Sequence, residues 1–208
     1  MKVSALNLAE FILTKYSDVN ISPMKLQKLA YYAKVWSVVA GNDFIDATFE
    51  KWEYGPVNRA IFDRYRSFSK GIIPVPAGSD KKHIKPEQED FVHFVLQHYI
   101  GQSAVALSMQ THREDPWIKT ARNEIISEDS IRKYYSGQNF AKNFSRKHYK
   151  EGPFFVLKTN SWHSFTMDMA SEEAELYESY PSYDEFIKRK ENGKSAFDNF
   201  FNSIASKQ

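Results

Sequence analysis

Cysteine is absent from this 208-residue sequence, which excludes disulfides and thiolate metal sites and fits a reducing compartment. No apolar run approaches membrane-spanning length. The opening stretch MKVSALNLAEFILTKYS has periodic apolar residues broken by Asn7, Glu10 and Thr14, which a signal peptide would not show. There is almost no net charge: 28 Lys plus Arg stand against 26 Asp plus Glu, for a balance of +2, so global electrostatics gives no argument for a nucleic-acid binder. Glycine-rich phosphate loops, GxSxG elbows, HExxH pairs and internal repeats are missing as well. The expectation is a soluble, cytoplasmic protein that needs no cofactor and no metal, and that makes no use of a membrane.

What is present is 42% hydrophobic residues, 15% of all residues being aromatic, enough for one good core. Ser22-Pro23 is a strong helix start, and the helix it opens runs to Ala40, with Gly41 as its exit. Leu26, Leu29, Ala30, Ala33, Ser37 and Ala40 fall at spacings of three and four, and Tyr32, Trp36 and Val39 widen that face until it can be buried nearly all round. Lys25, Lys28 and Lys34 then fall to the solvated side, with Tyr31 and Tyr32 at the core margin. Phe49 to Tyr54 reads as a half-buried strand stopped by Gly55-Pro56, after which helical spacing resumes at Val57 and continues to Phe68.

Elsewhere Ser4 caps a first helix to about Tyr16. Pro86, Ser103, Asp115 and Ser127 open four more helices, with Gly101 and Gly137 closing the first and the last. Ser69 to Pro86 is irregular apart from a brief strand around Lys82 to Ile84. The final third inverts its charge: 131–150 holds no acid, whereas 159–187 holds seven acids and neither Lys nor Arg. A hairpin over 154–169 and helices over 182–190 and 196–204 are expected there. The fold class is therefore mainly α, a compact helical domain over 1–144 with a small antiparallel β-sheet, and a C-terminal extension over 145–208 made of a β-hairpin plus helices.

Three motifs in register, MKLQKLAYYA at Met24–Ala33, WEYGPV at Trp52–Val57 and THREDPW at Thr111–Trp117, resemble the Panacea domain, a family found in antitoxins and phage-associated proteins. The resemblance covers roughly the first two thirds of the chain. It implies a non-enzymatic antitoxin that neutralises a cognate protein toxin by direct binding, with a protease or chaperone as a further partner where the antitoxin serves as a proteolytic adaptor. The residues matching the family pattern (Lys25, Gln27, Lys28, Tyr31, Trp52, Tyr54, Gly55, Pro56, Thr111, His112 and Trp117) are expected in scaffold roles. Partner contact is assigned to Tyr177, Tyr180, Tyr183, Asp184 and Glu185, where rings interleave with carboxylates: rings supply contact area and charge steers encounter.

Two alternatives stand beside this. Ser103 to Arg122 imitates a helix-turn-helix, with Lys119, Arg122 and Asn123 as DNA or RNA contacts of a regulatory adaptor, although so few contacts put nucleic acid behind a protein partner. His112 beside Glu114 and Asp115 could serve as a general base in a hydrolase. The plainer reading has Asp115 capping a helix, Trp117 anchored in the core and His112 making one structural hydrogen bond.

Overall fold

A computed structural model describes residues 2–76 and 84–144. The chain forms, in order, β1 (Val3–Ser4), α1 (Ala5–Lys15), α2 (Pro23–Val39), β2 (Ile45–Asp46), β3 (Glu50–Trp52), β4 (Gly55–Val57), α3 (Arg59–Tyr65), α4 (Pro86–Leu96), α5 (Ala104–Thr111), α6 (Asp115–Lys119) and α7 (Glu128–Tyr135), with 3-10 turns at Arg66–Phe68 and Asn139–Phe144. This is a mainly helical fold with a small two-stranded antiparallel sheet, β3 against β4, and a separate short parallel pair, β1 with β2.

Helix α2 is the axis. Pro23 and the Ser22 side chain, which accepts the Lys25 amide, start it; Gly41, at φ +72°, follows it. Every residue from Lys25 to Val38 is buried, because α1, α3, α4, α5, α7 and β4 all pack around it. Its aromatic side meets the last described turn of the chain. Trp36 donates its indole proton to Tyr99 Oη at 2.7 Å and lies edge-on to Tyr135 and Phe140, while Tyr32 stacks on Tyr99 with centroids 4.0 Å apart.

Burial on all sides overturns the expected place of the lysines. Lys25, Lys28 and Lys34 are inside, not on a solvated face, and Tyr31 and Tyr32 are fully buried instead of marginal. Each ammonium is met by oxygen: Lys25 by Ile100 O at 2.7 Å, Lys28 by Pro56 O at 2.9 Å, and Lys34 by Ile45 O, Asp43 and Glu128. Carbonyl and carboxylate partners offset the desolvation that would otherwise keep a lysine at the surface.

Other boundaries also moved. Gly55-Pro56 does not stop the chain at a corner; it is the returning strand β4, in the register Trp52↔Gly55 and Glu50↔Val57, which leaves Glu53-Tyr54 as a two-residue turn. Proline is tolerated there because it faces Lys51, whose backbone amide and carbonyl bond Glu124 O and the Asn123 amide instead, so no ladder bond needs a donor from Pro56. Glu114, not Asp115, is the residue before α6, and its side chain turns inward instead of capping. Helix α4 ends at Leu96, short of Gly101, and α6 ends at Lys119. The strand near Lys82, the hairpin over 154–169, the later helices and the 145–208 extension lie outside the described residues.

Asn58 joins the sheet to α3. Its Oδ1 accepts the Ile61 amide, its Nδ2 donates to Thr48 O, and its backbone amide and carbonyl both bond the Gln27 side chain. Asn58→Ala removes the first two bonds and leaves the Gln27 pair, so urea unfolding should show a loss of about 1–2 kcal/mol, at the upper end of the range for a cap.

Candidate functional site at the hairpin turn

The three sequence motifs converge on one feature, the turn between β3 and β4. Carbonyl oxygens along it are taken one after another by side chains from elsewhere. Trp117 Nε1 donates to Trp52 O at 3.2 Å, His112 Nε2 lies 2.8 Å from Glu53 O, Ser108 Oγ donates to Tyr54 O at 3.0 Å, and Lys28 Nζ donates to Pro56 O. A two-residue turn without the usual Asn-Gly or Asp-Gly pair has weak intrinsic preference for its shape. Here the shape is imposed by α2, α5 and α6.

Gly55 is where these elements meet most tightly. At φ +99° it holds a conformation that side chains rarely adopt, and a Cβ there would lie 2.7 Å from Thr111 Oγ1 and 2.8 Å from Lys28 Nζ. Thr111 is buried and donates to Ser108 O. Lys25, Gln27, Lys28, Tyr31, Gly55, Pro56 and Thr111 are all interior, Trp52, His112 and Trp117 are half-buried, and Tyr54 stands out at 65% exposure. Trp117 packs half-buried against the core, as expected, and also braces the turn: its indole donates to Trp52 O, and its ring meets His112 edge-on, with centroids 4.0 Å apart, and carries Lys51 Nζ at 4.4 Å.

Both ring nitrogens of His112 face backbone carbonyls, Nδ1 at 2.6 Å from Ser108 O as well as Nε2 on Glu53 O. Two structural contacts replace the single one expected, and neither nitrogen is turned toward a space where a substrate could sit, which removes the support for a hydrolytic base. Among the described residues no group of three or more His, Asp or Glu is placed to hold a metal. The helix-turn-helix reading fares no better: α6 has five residues, and Arg122 and Asn123 lie beyond its end.

Behind the turn are two buried titratable groups that periodicity did not single out as such. Burial lowers the Lys28 ammonium to about 7. Burial likewise raises the Glu114 carboxyl to about 7, against the pull of hydrogen bonds from Tyr135, Tyr32 and Gln110. Tyr32 and Tyr135 donate to its two oxygens, so the carboxyl ties α2 to α7. The Tyr31 hydroxyl, close by, has no hydrogen bond of sound geometry among the described residues.

Exposed apolar side chains flank the turn. Val105 and Met109, 60% and 53% exposed, share by helical spacing the face of α5 from which Ser108 and His112 reach the turn. These side chains and Tyr54 are exposed apolar groups that sequence patterning missed, because it assigned partner contact to Tyr177, Tyr180, Tyr183, Asp184 and Glu185, all outside the described residues. The absence of any helix long and apolar enough to cross a membrane applies to the described residues.

Comparison with known proteins gives one match. The family model described as "Antitoxin SocA-like, Panacea domain" matches residues 26–118, from α2 into α6. No curated protein and no solved structure matches the chain.

Proposed function

We propose, from the match of residues 26–118 to the Panacea domain of SocA-like antitoxins, that the chain neutralises a cognate protein toxin by direct, stoichiometric binding, with Tyr54 at the centre of the contact. A non-enzymatic role fits both the family and the occupied His112 ring. The observation that carries the reading is the four-carbonyl clamp on the turn: a tyrosine ring presented on a backbone already held in place loses little entropy when a partner covers it. Val105 and Met109 extend the apolar area around it. A cytoplasmic site of action and hand-over of the bound toxin to a protease or chaperone belong to the same proposal.

The acidic, aromatic stretch is proposed as a second contact, through Tyr177, Tyr180, Tyr183, Asp184 and Glu185, steering a basic toxin surface. Two sets of variants separate the contacts. With the toxin encoded beside this gene, Tyr54→Ala should weaken the purified complex at least about tenfold, roughly 1.4 kcal/mol, with no change in melting temperature, since the side chain supports nothing in the free protein. The double variant Asp184→Asn with Glu185→Gln should slow association and make it respond less to salt than the parent does. A Y54A protein that binds as tightly as the parent and still protects growing cells would remove the turn from the interface.

A further inference from the structure

A cavity of about 480 Å³ opens beside the turn, between the first turns of α2, the hairpin, the end of α3 and the connection after α6. Its walls are aromatic: Trp52 and Phe62, set edge to face with centroids 4.9 Å apart, and Tyr54 at the mouth. Its charge is one-sided. Arg66 and Lys70 line it from the segment after α3 and Arg122 from the connection after α6, none in an ion pair among the described residues, and Lys28 also belongs to the lining; Glu53 is the one acid there. Among the described residues that line it, one carboxylate stands against these cations, so the pocket keeps an excess of positive charge.

The backbone around the cavity is unusual as well. Ser69, at φ +49° and ψ −112°, and Asn123, at φ +63°, are the two non-glycine residues with positive φ among the described residues, and both belong to the lining. Backbone conformations of this kind are disfavoured for side-chain-bearing residues and concentrate where a ligand is gripped. Asn123 is held there by its amide bond to Lys51 O at 2.8 Å, which also docks its segment beside β3.

The geometry points to a nucleoside phosphate as the occupant: a planar base against Trp52 and Phe62, and the phosphate among Arg66, Lys70 and Arg122. The volume falls within the range of small-molecule pockets. A ring alone would leave three cations unanswered, and phosphate alone would leave the aromatic walls bare. Base identity is weakly read, because the lining's one amide from α2, Gln27, has both its oxygen and its nitrogen committed to the Asn58 backbone. The site adjoins Tyr54, so an occupant there would touch the same surface that faces a protein partner.

Calorimetric titration of the full chain tests this with AMP and GMP as probes, and with adenosine, inorganic phosphate and a ten-nucleotide thymidine strand as comparators. AMP and GMP should bind alike at one site with Kd in the micromolar range, and adenosine and inorganic phosphate should each bind at least about tenfold more weakly. Arg66→Ser and Arg122→Ser, both at exposed positions, should each weaken AMP about tenfold without moving the melting temperature. Absence of heat at millimolar AMP overturns the assignment, as does phosphate binding as tightly as AMP, or AMP binding that both serine variants leave unchanged. A thymidine strand binding more than about tenfold tighter than AMP would also overturn it, in favour of a single-stranded nucleic-acid groove.

Discussion

Gly55→Ala should cost about 2–5 kcal/mol of unfolding free energy, a large share of a domain's total stability. The figure combines a left-handed backbone, about 1–2 kcal/mol for a residue with a Cβ, with overpacking of about 1–3 kcal/mol. The new methyl carbon would overlap Thr111 Oγ1 and the end of Lys28, and displacing that amine would also strip Pro56 O of its donor inside the protein. Gly41→Ala is the control: it shares the positive φ, at +72°, but has nothing within 4 Å of the added carbon, so it should lose only the backbone part, about 1 kcal/mol. Urea unfolding of the two variants measures the difference. Equal losses would show that the packing around Gly55 yields freely and that the turn is not clamped.

The second large effect is a stability minimum near neutral pH. Glu114, raised by burial from 4.5 to about 7, holds an extra proton in the folded state between those values. Its contribution is therefore complete below pH 4.5 and is lost as pH rises through 7. Lys28, lowered by burial from 10.5 to about 7, has the opposite sign: its contribution is complete above 10.5 and is lost as pH falls through 7. At about 1.4 kcal/mol per pH unit of displacement, each arm amounts to about 3–5 kcal/mol, and the two meet in a trough around pH 7. Denaturant unfolding between pH 5 and 9.5 reads it clear of Asp43, whose carboxyl is held low by Lys34, and of the buried tyrosines, raised well above 10 by burial; His98, lowered from 6.5 by burial, loses its contribution as pH falls below 6.5 and so blunts the acid arm.

Glu114→Gln separates the arms. The amide keeps an acceptor for Tyr32 and never ionises, so the variant should match the parent at pH 5 and exceed it by about 2–3 kcal/mol at pH 9, leaving the alkaline rise intact. Lys28→Met should remove most of that rise instead, leaving the share of Lys25, which burial also lowers from 10.5. A parent protein whose stability peaks at pH 7 would mean that these groups are solvated or paired in solution.

How much of this was legible in the residues differs from element to element. Helix starts were, since Ser4, Ser22, Ser103 and Ser127 each accept the amide three residues on, as local chemistry requires. The lysines of α2 were not, because periodicity sorts residues by type and their acceptors come from distant chain: Ile100 for Lys25, Pro56 for Lys28. Gly55-Pro56 was misread for a similar reason, its strand conformation being enforced by α2 and α5 rather than by its own propensity. β1 and β2, two residues each, are too short to leave a pattern. Motif resemblance brought the turn residues together, but nothing in linear order marks Arg122 as a neighbour of Arg66 and Lys70.

The enclosure of α2 bears on how the molecule comes apart. Six elements lean on that helix, so no peripheral piece can leave without baring it, and its amides should exchange with deuterated solvent only through complete unfolding. A machine that pulls on this chain therefore meets one resisting unit instead of a series of small yields.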